Sequence, residues 1–121
     1  MSSALTYGEM RSEEEQAVDR VVLARVRKGI ELLKEKHGDD WVEKIDLRKL
    51  KLSNSSCCVL GQLYGKYENG CYQIWGRGTS RSDQPVEHGF MAHDWRMYNQ
   101  ESWLELQRAW VQELREIVGS R

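Results

Sequence analysis

The sequence predicts a mainly α-helical, compact single-domain bundle of about four helices, joined by irregular connectors that leave room for one short strand pair. Three observations carry that expectation. Two long segments, one near each end of the chain, repeat apolar residues at steps of three and four, the spacing of one helix face. Capping residues stand where those segments begin. A chain of 121 residues with 40% hydrophobic content is the size of one ordinary domain and too short for two full cores.

Residues 1–12 show no periodic pattern and are expected to form a loose arm ahead of a helical domain over 13–121. Ser12 followed by Glu15 is a capping-box pattern, and Glu13, Glu14 and Asp19 place negative charge on the first turns, where the helix dipole favours it. Val18, Val22, Val26, Ile30, Leu33 and His37 then recur at helical steps, joined by Val21, before Gly38 offers a C-cap. Asp39 or Asp40 caps a short helix with Trp41 and Ile45 on one face. Apolar positions 45, 47, 50 and 52 mix strand-like and helix-like steps, so residues 45–52 read as an irregular connector.

Ser53 to Ser56 is a cluster of capping residues, and the apolar run from Cys57 to Tyr67 reads as a central third helix. Within it, Gly61 and Gly65 suit close helix packing, with Cys58, Leu60, Leu63 and Tyr64 on the buried side. Glu68-Asn-Gly70 is expected to stop that helix in a turn. Cys71, Tyr72, Ile74 and Trp75 follow as a short strand or a packed loop, and Gly76 to Gln84 as a polar, mobile loop. Pro85 to Met97 has space for a short helix. Asn99 then caps a closing helix whose stripe is Trp103, Leu106, Trp110, Leu114 and Ile117, widened by Leu104, Val111 and Val118. The two long stripes are expected to pack on each other; a homo-oligomer is the alternative if they do not.

Composition narrows the function classes. Eighteen Lys and Arg against nineteen Asp and Glu give a net charge of -1, so no overall field draws the chain to nucleic acid or an anionic membrane. The longest stretch free of charged residues, Leu52 to Gly65, falls short of the roughly 20 apolar residues of a membrane helix. Met1 to Met10 contains Glu9 and has no basic-then-apolar run, so no secretory signal is expected and the cytoplasm is the expected compartment. Three cysteines, two of them adjacent, fit reduced thiols better than an intradomain disulfide.

The stretch from Trp41 through Ile45, Asp46 and Leu47 to Leu52, followed by Cys58-Val-Leu-Gly-Gln-Leu-Tyr-Gly-Lys-Tyr67, then Gly89-Phe90 and a closing helix with Leu106 and Ala109-Trp110, resembles a group of small proteins of unknown function from actinobacteria and their phages. The likeness runs from about Gly29 to Ile117, and its most specific element is the Cys-Val-Leu-Gly-Gln-Leu block. It implies a compact, mainly helical fold and carries no assigned activity. Similar sequences continue from this block through a Leu-Gly pair to Gly-Phe, whereas this chain has Ile74-Trp75-Gly76 and then the polar loop.

Candidate chemistry is sparse. Three Cys and three His are zinc-ligand types, but adjacent Cys57 and Cys58 diverge by about 100° on a helix, and no metal or cofactor is expected. Cys57 near a helix N-terminus, with His88 or His93 as base, would make a nucleophile, yet no cysteine-enzyme signature is present. His88 beside Glu87 and His93 beside Asp94 look like acid-base pairs, although neighbouring side chains on an element point apart. Gly76-Arg-Gly-Thr-Ser-Arg-Ser82 has donors for a phosphate but not a phosphate-loop spacing.

The favoured reading is therefore a non-enzymatic protein-binding or modulator protein. Five Trp are dense for this length, and Trp and Tyr are enriched at binding hot spots. The expected protein-binding residues are Trp75, as the apolar anchor, with Arg77 and Arg81 giving orientation. The alternative is a small nucleic-acid-binding protein using the basic run Lys44, Arg48, Lys49 and Lys51, diluted by Glu43 and Asp46. A helix-turn-helix over that region would need base-reading side chains that the apolar helix from Cys57 lacks.

Overall fold

The computed structural model describes residues 20–97 and 99–120, of which only the backbone is described at Arg96. The expected arm over 1–12, the capping box at Ser12 and Glu15, and Val18 lie outside the described residues. Among the described residues the chain is mainly helical, with five α-helices, three 3-10 turns and no strand.

Helix α1, Arg20–His37, buries Val22, Val26, Ile30 and Leu33 on one face and stops where Gly38 adopts a φ of 79°. Helix α5, Gln100–Gly119, starts at Asn99, whose Oδ1 accepts from the Glu101 N–H, and buries Leu106, Ala109, Trp110 and Leu114. These two faces pack on each other in one core, as their matching periodicity predicts. Each fully buried large side chain contributes about 1.5–3 kcal/mol. Both stripes are narrower than the sequence suggests, because Val21, Leu104 and Val118 are exposed.

A 3-10 turn, Asp39–Lys44, tucks Trp41 and Val42 into that core. The connector after it is irregular, as expected, and two glutamines explain how its backbone stays satisfied. Gln62 accepts from Asp46 N–H at 2.6 Å and donates to the Asp46 and Cys57 carbonyls. Gln107 on α5 accepts from Leu52 N–H at 3.0 Å and donates to the Leu50 carbonyl at 2.7 Å. Buried backbone groups need such partners when no ladder or helix supplies them.

The expected third helix is two helices. Cys58 caps α2, Val59–Tyr64, its Sγ accepting from Gly61 N–H at 3.2 Å, and the chain breaks at Gly65 with a φ of 92°. Helix α3, Tyr67–Trp75, then runs straight through the Glu68-Asn-Gly70 segment where a turn was expected. Asn69 donates its side-chain amide back to the Tyr64 carbonyl, and Gly70 is buried against Leu60 and Tyr64, where a Cβ would meet Leu60 Cβ at 2.9 Å. Close α2–α3 packing thus claims the glycine that local propensity assigns to a turn. Residues 71–75, expected as strand or packed loop, are the last turns of α3.

The expected mobile loop, Gly76 to Gln84, is folded. It holds a 3-10 turn, Thr79–Arg81, and enters the short helix α4, Asp83–Glu87. Thr79 Oγ1 donates to the Gly76 and Cys71 carbonyls, Ser82 Oγ donates to the Thr79 carbonyl, and the Tyr67 hydroxyl donates to the Ser80 carbonyl at 2.6 Å. The Thr79 and Ser82 hydroxyls bond to main-chain carbonyls, so a polar segment without an apolar anchor is fixed by hydrogen bonds instead.

Candidate functional site: a tryptophan-lined cleft

Four stretches that are remote in sequence meet around a cleft of about 290 Å³, at the lower edge of the roughly 300–1,000 Å³ usual for ligand pockets. Cys58 and Tyr67 supply buried side chains, and the start of the connector adds Leu52, Ser53 and Ser55. Met91, Trp95 and Trp103, all half-buried, supply apolar surface from the segment before α5 and from its first turn. Glu68 and Arg81 bring exposed charges of opposite sign. The hydrogen bond from Tyr67 to Ser80 fixes the Arg81 turn against α3.

Two polar atoms beside this cleft are buried without a hydrogen-bond partner: Trp103 Nε1 and Asp94 Oδ1. Asp94 uses its other oxygen to accept from Ser102 Oγ at 3.1 Å. Buried polar groups in native proteins are nearly always paired, so two together mark an unusual corner.

One of the three sequence-predicted protein-binding residues lines this cleft. Arg81 lines the cleft; Trp75 and Arg77 do not. Trp75 ends α3 with its ring 6.1 Å from Phe90 and 5.2 Å from His88, which makes it a half-buried flank of the core, while Arg77 is exposed. Phe90 stacks in turn on Trp110. Trp103, expected to face α1, lines the cleft, where Trp95 joins it. Sequence reading missed Trp95, Met91 and Glu68 as cleft residues, because no periodicity links 67–68, 80–81 and 91–95.

The basic run stays on the surface. Lys44, Arg48, Lys49 and Lys51 are all exposed, and Arg48 Nε lies 3.6 Å from Asp46 Oδ1. Residues 45–51 form turns rather than a helix, so no helix-turn-helix is present there. Lys44 and Arg48 border a shallow groove with Val42, Ile45, Leu47 and Val118.

Burial pushes the Cys58 and Cys71 thiols up to about 11, so both are protonated near neutral pH. Cys57 precedes the cap of α2 rather than occupying its first turn. His88 Nδ1 donates to the Gln84 carbonyl, His93 is exposed, and its neighbour Asp94 is engaged by Ser102. His37 shares a 2.6 Å hydrogen bond with the Tyr64 hydroxyl, and burial together with Lys44 and Lys36 lowers its pKa. No group of three His, Cys, Asp or Glu among the described residues is placed to hold a metal ion, and no described helix is long and apolar enough to cross a membrane.

No family model matches the chain, and no curated protein or solved structure is significantly similar to it.

Proposed function

We propose that this chain is a non-enzymatic protein-binding module whose partner inserts an apolar side chain into the cleft between Trp95, Trp103, Met91 and Cys58. The observation that carries this reading is the cleft itself: Met91 and Trp95 from the segment before α5 meet Trp103 from its first turn, with Arg81 and Glu68 contributing charge. Trp and Arg are the residues most enriched among binding hot spots, and a charged rim around an apolar centre is usual interface anatomy. Arg81 keeps the orienting role expected of it, through charge-assisted bonds to a partner carboxylate. The apolar anchor passes from Trp75 to Trp95 and Trp103.

The test is affinity capture from cells with the wild-type chain and the variants Trp95→Ala and Arg81→Ala, followed by reconstitution with the purified partner. Loss of binding in both variants, with helicity retained, supports the reading. Retention of full affinity in both removes it.

A second reading, nucleic-acid binding through Lys44, Arg48, Lys49 and Lys51, is favoured by the exposure of all four cations, Lys44 at the end of the 3-10 turn and the other three on the connector after it. Salt separates the two, because phosphate contacts weaken steeply between about 50 and 200 mM salt and an apolar hot spot does not.

A further inference from the structure

We propose that the outer face of α5 is a second docking surface, which takes an acidic amphipathic helix of a partner protein along an apolar stripe edged by Arg108 and Arg115. This surface has no lining residue in common with the tryptophan-lined cleft and goes beyond the function proposed for it.

The stripe follows from spacing. Leu104, Val111 and Val118 recur every seven residues of α5, so each is turned by only about 20° from the last and stands about 10.5 Å further along the axis. On average the row lies about 100° round the helix from the buried row Leu106, Trp110 and Leu114. Leu104 is 41% and Val118 52% exposed, two of the five exposed large apolar side chains among the described residues, and Val111 is half-buried. At its C-terminal end the row enters the shallow groove in which Val118 meets Val42, Ile45 and Leu47. Single exposed apolar residues are ordinary, whereas a row that continues into a groove is the kind of patch that marks an interaction site.

Charge edges the stripe on both sides. Arg108 and Arg115 repeat the seven-residue step about 40° round from the apolar row. Both are exposed, and neither is in an ion pair among the described residues. On the opposite side, Gln107 clips the connector to α5 through the Leu50 carbonyl and the Leu52 N–H, and the exposed Lys49 and Lys51 flank Leu50 there. The groove itself is balanced, Lys44 and Arg48 against Glu43 and Asp46. The positive surplus therefore comes from the two arginines and two lysines, set against Glu101 in the first turn of α5, while Glu105 and Glu116 lie farther round the helix.

An apolar strip between cationic edges complements a helix whose own apolar row is flanked by Asp or Glu. A second copy of this chain does not: turned antiparallel about Val111, it sets Arg115 of one copy beside Arg108 of the other, and in parallel each arginine meets itself. Nucleic acid has no use for the stripe, which offers phosphates only apolar surface and holds no aromatic side chain for bases to stack on.

The probe is a labelled synthetic peptide of about three heptads, with Leu at each first and fourth position and Glu at the flanking ones, so that its own copies repel at neutral pH. A twin peptide carries Lys in place of Glu. In fluorescence anisotropy with the full chain, the Glu peptide is expected to bind about ten-fold or more tighter than the Lys peptide, and Arg108→Glu/Arg115→Glu to invert that preference. Leu104→Ser/Val118→Ser is expected to weaken the Glu peptide by about ten-fold or more. All four positions are exposed, and circular dichroism confirms that the variants keep their helicity. Equal affinity of the wild type and the charge-reversed variant for the Glu peptide would overturn the proposal, as would no binding by the wild type up to about 1 mM peptide. Unchanged binding in Leu104→Ser/Val118→Ser would overturn it as well. Binding of a DNA duplex of about 20 base pairs in place of the Glu peptide would also overturn it and return the cations to the nucleic-acid reading. Trp95, Trp103 and Arg81 are unaltered throughout, so the result is independent of whether the cleft reading survives.

Discussion

The indole Nε1 of Trp110, at the centre of α5, donates to the main-chain carbonyl of Gly89, tying that helix to the corner on which α1 also rests. Gly89 has a φ of 74°, and a Cβ there would sit 2.8 Å from the Val26 backbone. Gly29 on α1 answers it, because a Cβ at that position would run into the His88 carbonyl. Three elements thus converge where only glycines fit.

Gly89→Ala combines a left-handed backbone with a steric clash, so it is expected to destabilise the fold by roughly 2–4 kcal/mol. Urea denaturation measures it. A loss below half a kcal/mol or so would mean that α1 is not seated on this corner.

Gly61→Ala probes the second close approach. Its Cβ would collide with the Ser55 carbonyl, and Ser55 also accepts from Tyr67 N–H at 2.8 Å at the start of α3. Overpacking of about 1–3 kcal/mol is expected despite the gain in helix propensity. Gly119→Ala, where nothing lies within 4 Å of the added atom, is the control and should be neutral or slightly stabilising.

Arg27 Nε lies 3.2 Å from Glu113 Oε1 and bridges α1 to α5. The Glu113 side chain is 11% exposed but that of Arg27 is 59% exposed, so solvent screens much of the pair. Arg27→Ala is expected to cost about 1 kcal/mol rather than the ~3–5 kcal/mol of a fully buried pair. Adding salt should shrink the difference between wild type and variant.

Alkaline pH should weaken the fold. Cys58 and Cys71 are raised to about 11 from an ordinary value of 9.0, chiefly by burial, so the folded state holds their protons longer than the unfolded state. Their stabilisation is fully present below pH 9 and is lost as pH rises through about 11, by an amount on the order of 2–3 kcal/mol per thiol. Tyr67, also raised by burial, acts in the same direction. Urea midpoints from pH 8 to 11 check this, and Cys71→Ala should flatten the decline.

The two long helices were legible because each carries its own apolar period, and Gly38 and Asn99 mark ends that depend on local geometry alone. The break at Gly65 was not. Gly65 and Gly70 are equivalent to local rules, and the choice between them is made by Leu60 and Tyr64 packing on Gly70. The Gln62 and Gln107 clips and the Arg27–Glu113 bridge join residues far apart in sequence, which no periodicity reports. Of the candidate site, Arg81 was visible as a cation in a polar segment. Trp95 was visible only as an aromatic residue, since its place in the cleft depends on how four stretches remote in sequence converge.

The central claim is that the Trp95–Trp103 cleft, rather than the Trp75–Arg77 end of α3, takes the partner. Isothermal titration of the purified partner against Trp95→Ala and against a Trp75→Phe/Arg77→Ala double variant tests it most directly, with circular dichroism confirming that both fold. The account predicts at least a ten-fold loss of affinity, or about 1.4 kcal/mol, for Trp95→Ala and wild-type affinity for the double variant. Wild-type affinity in Trp95→Ala together with lost binding in the double variant would contradict it.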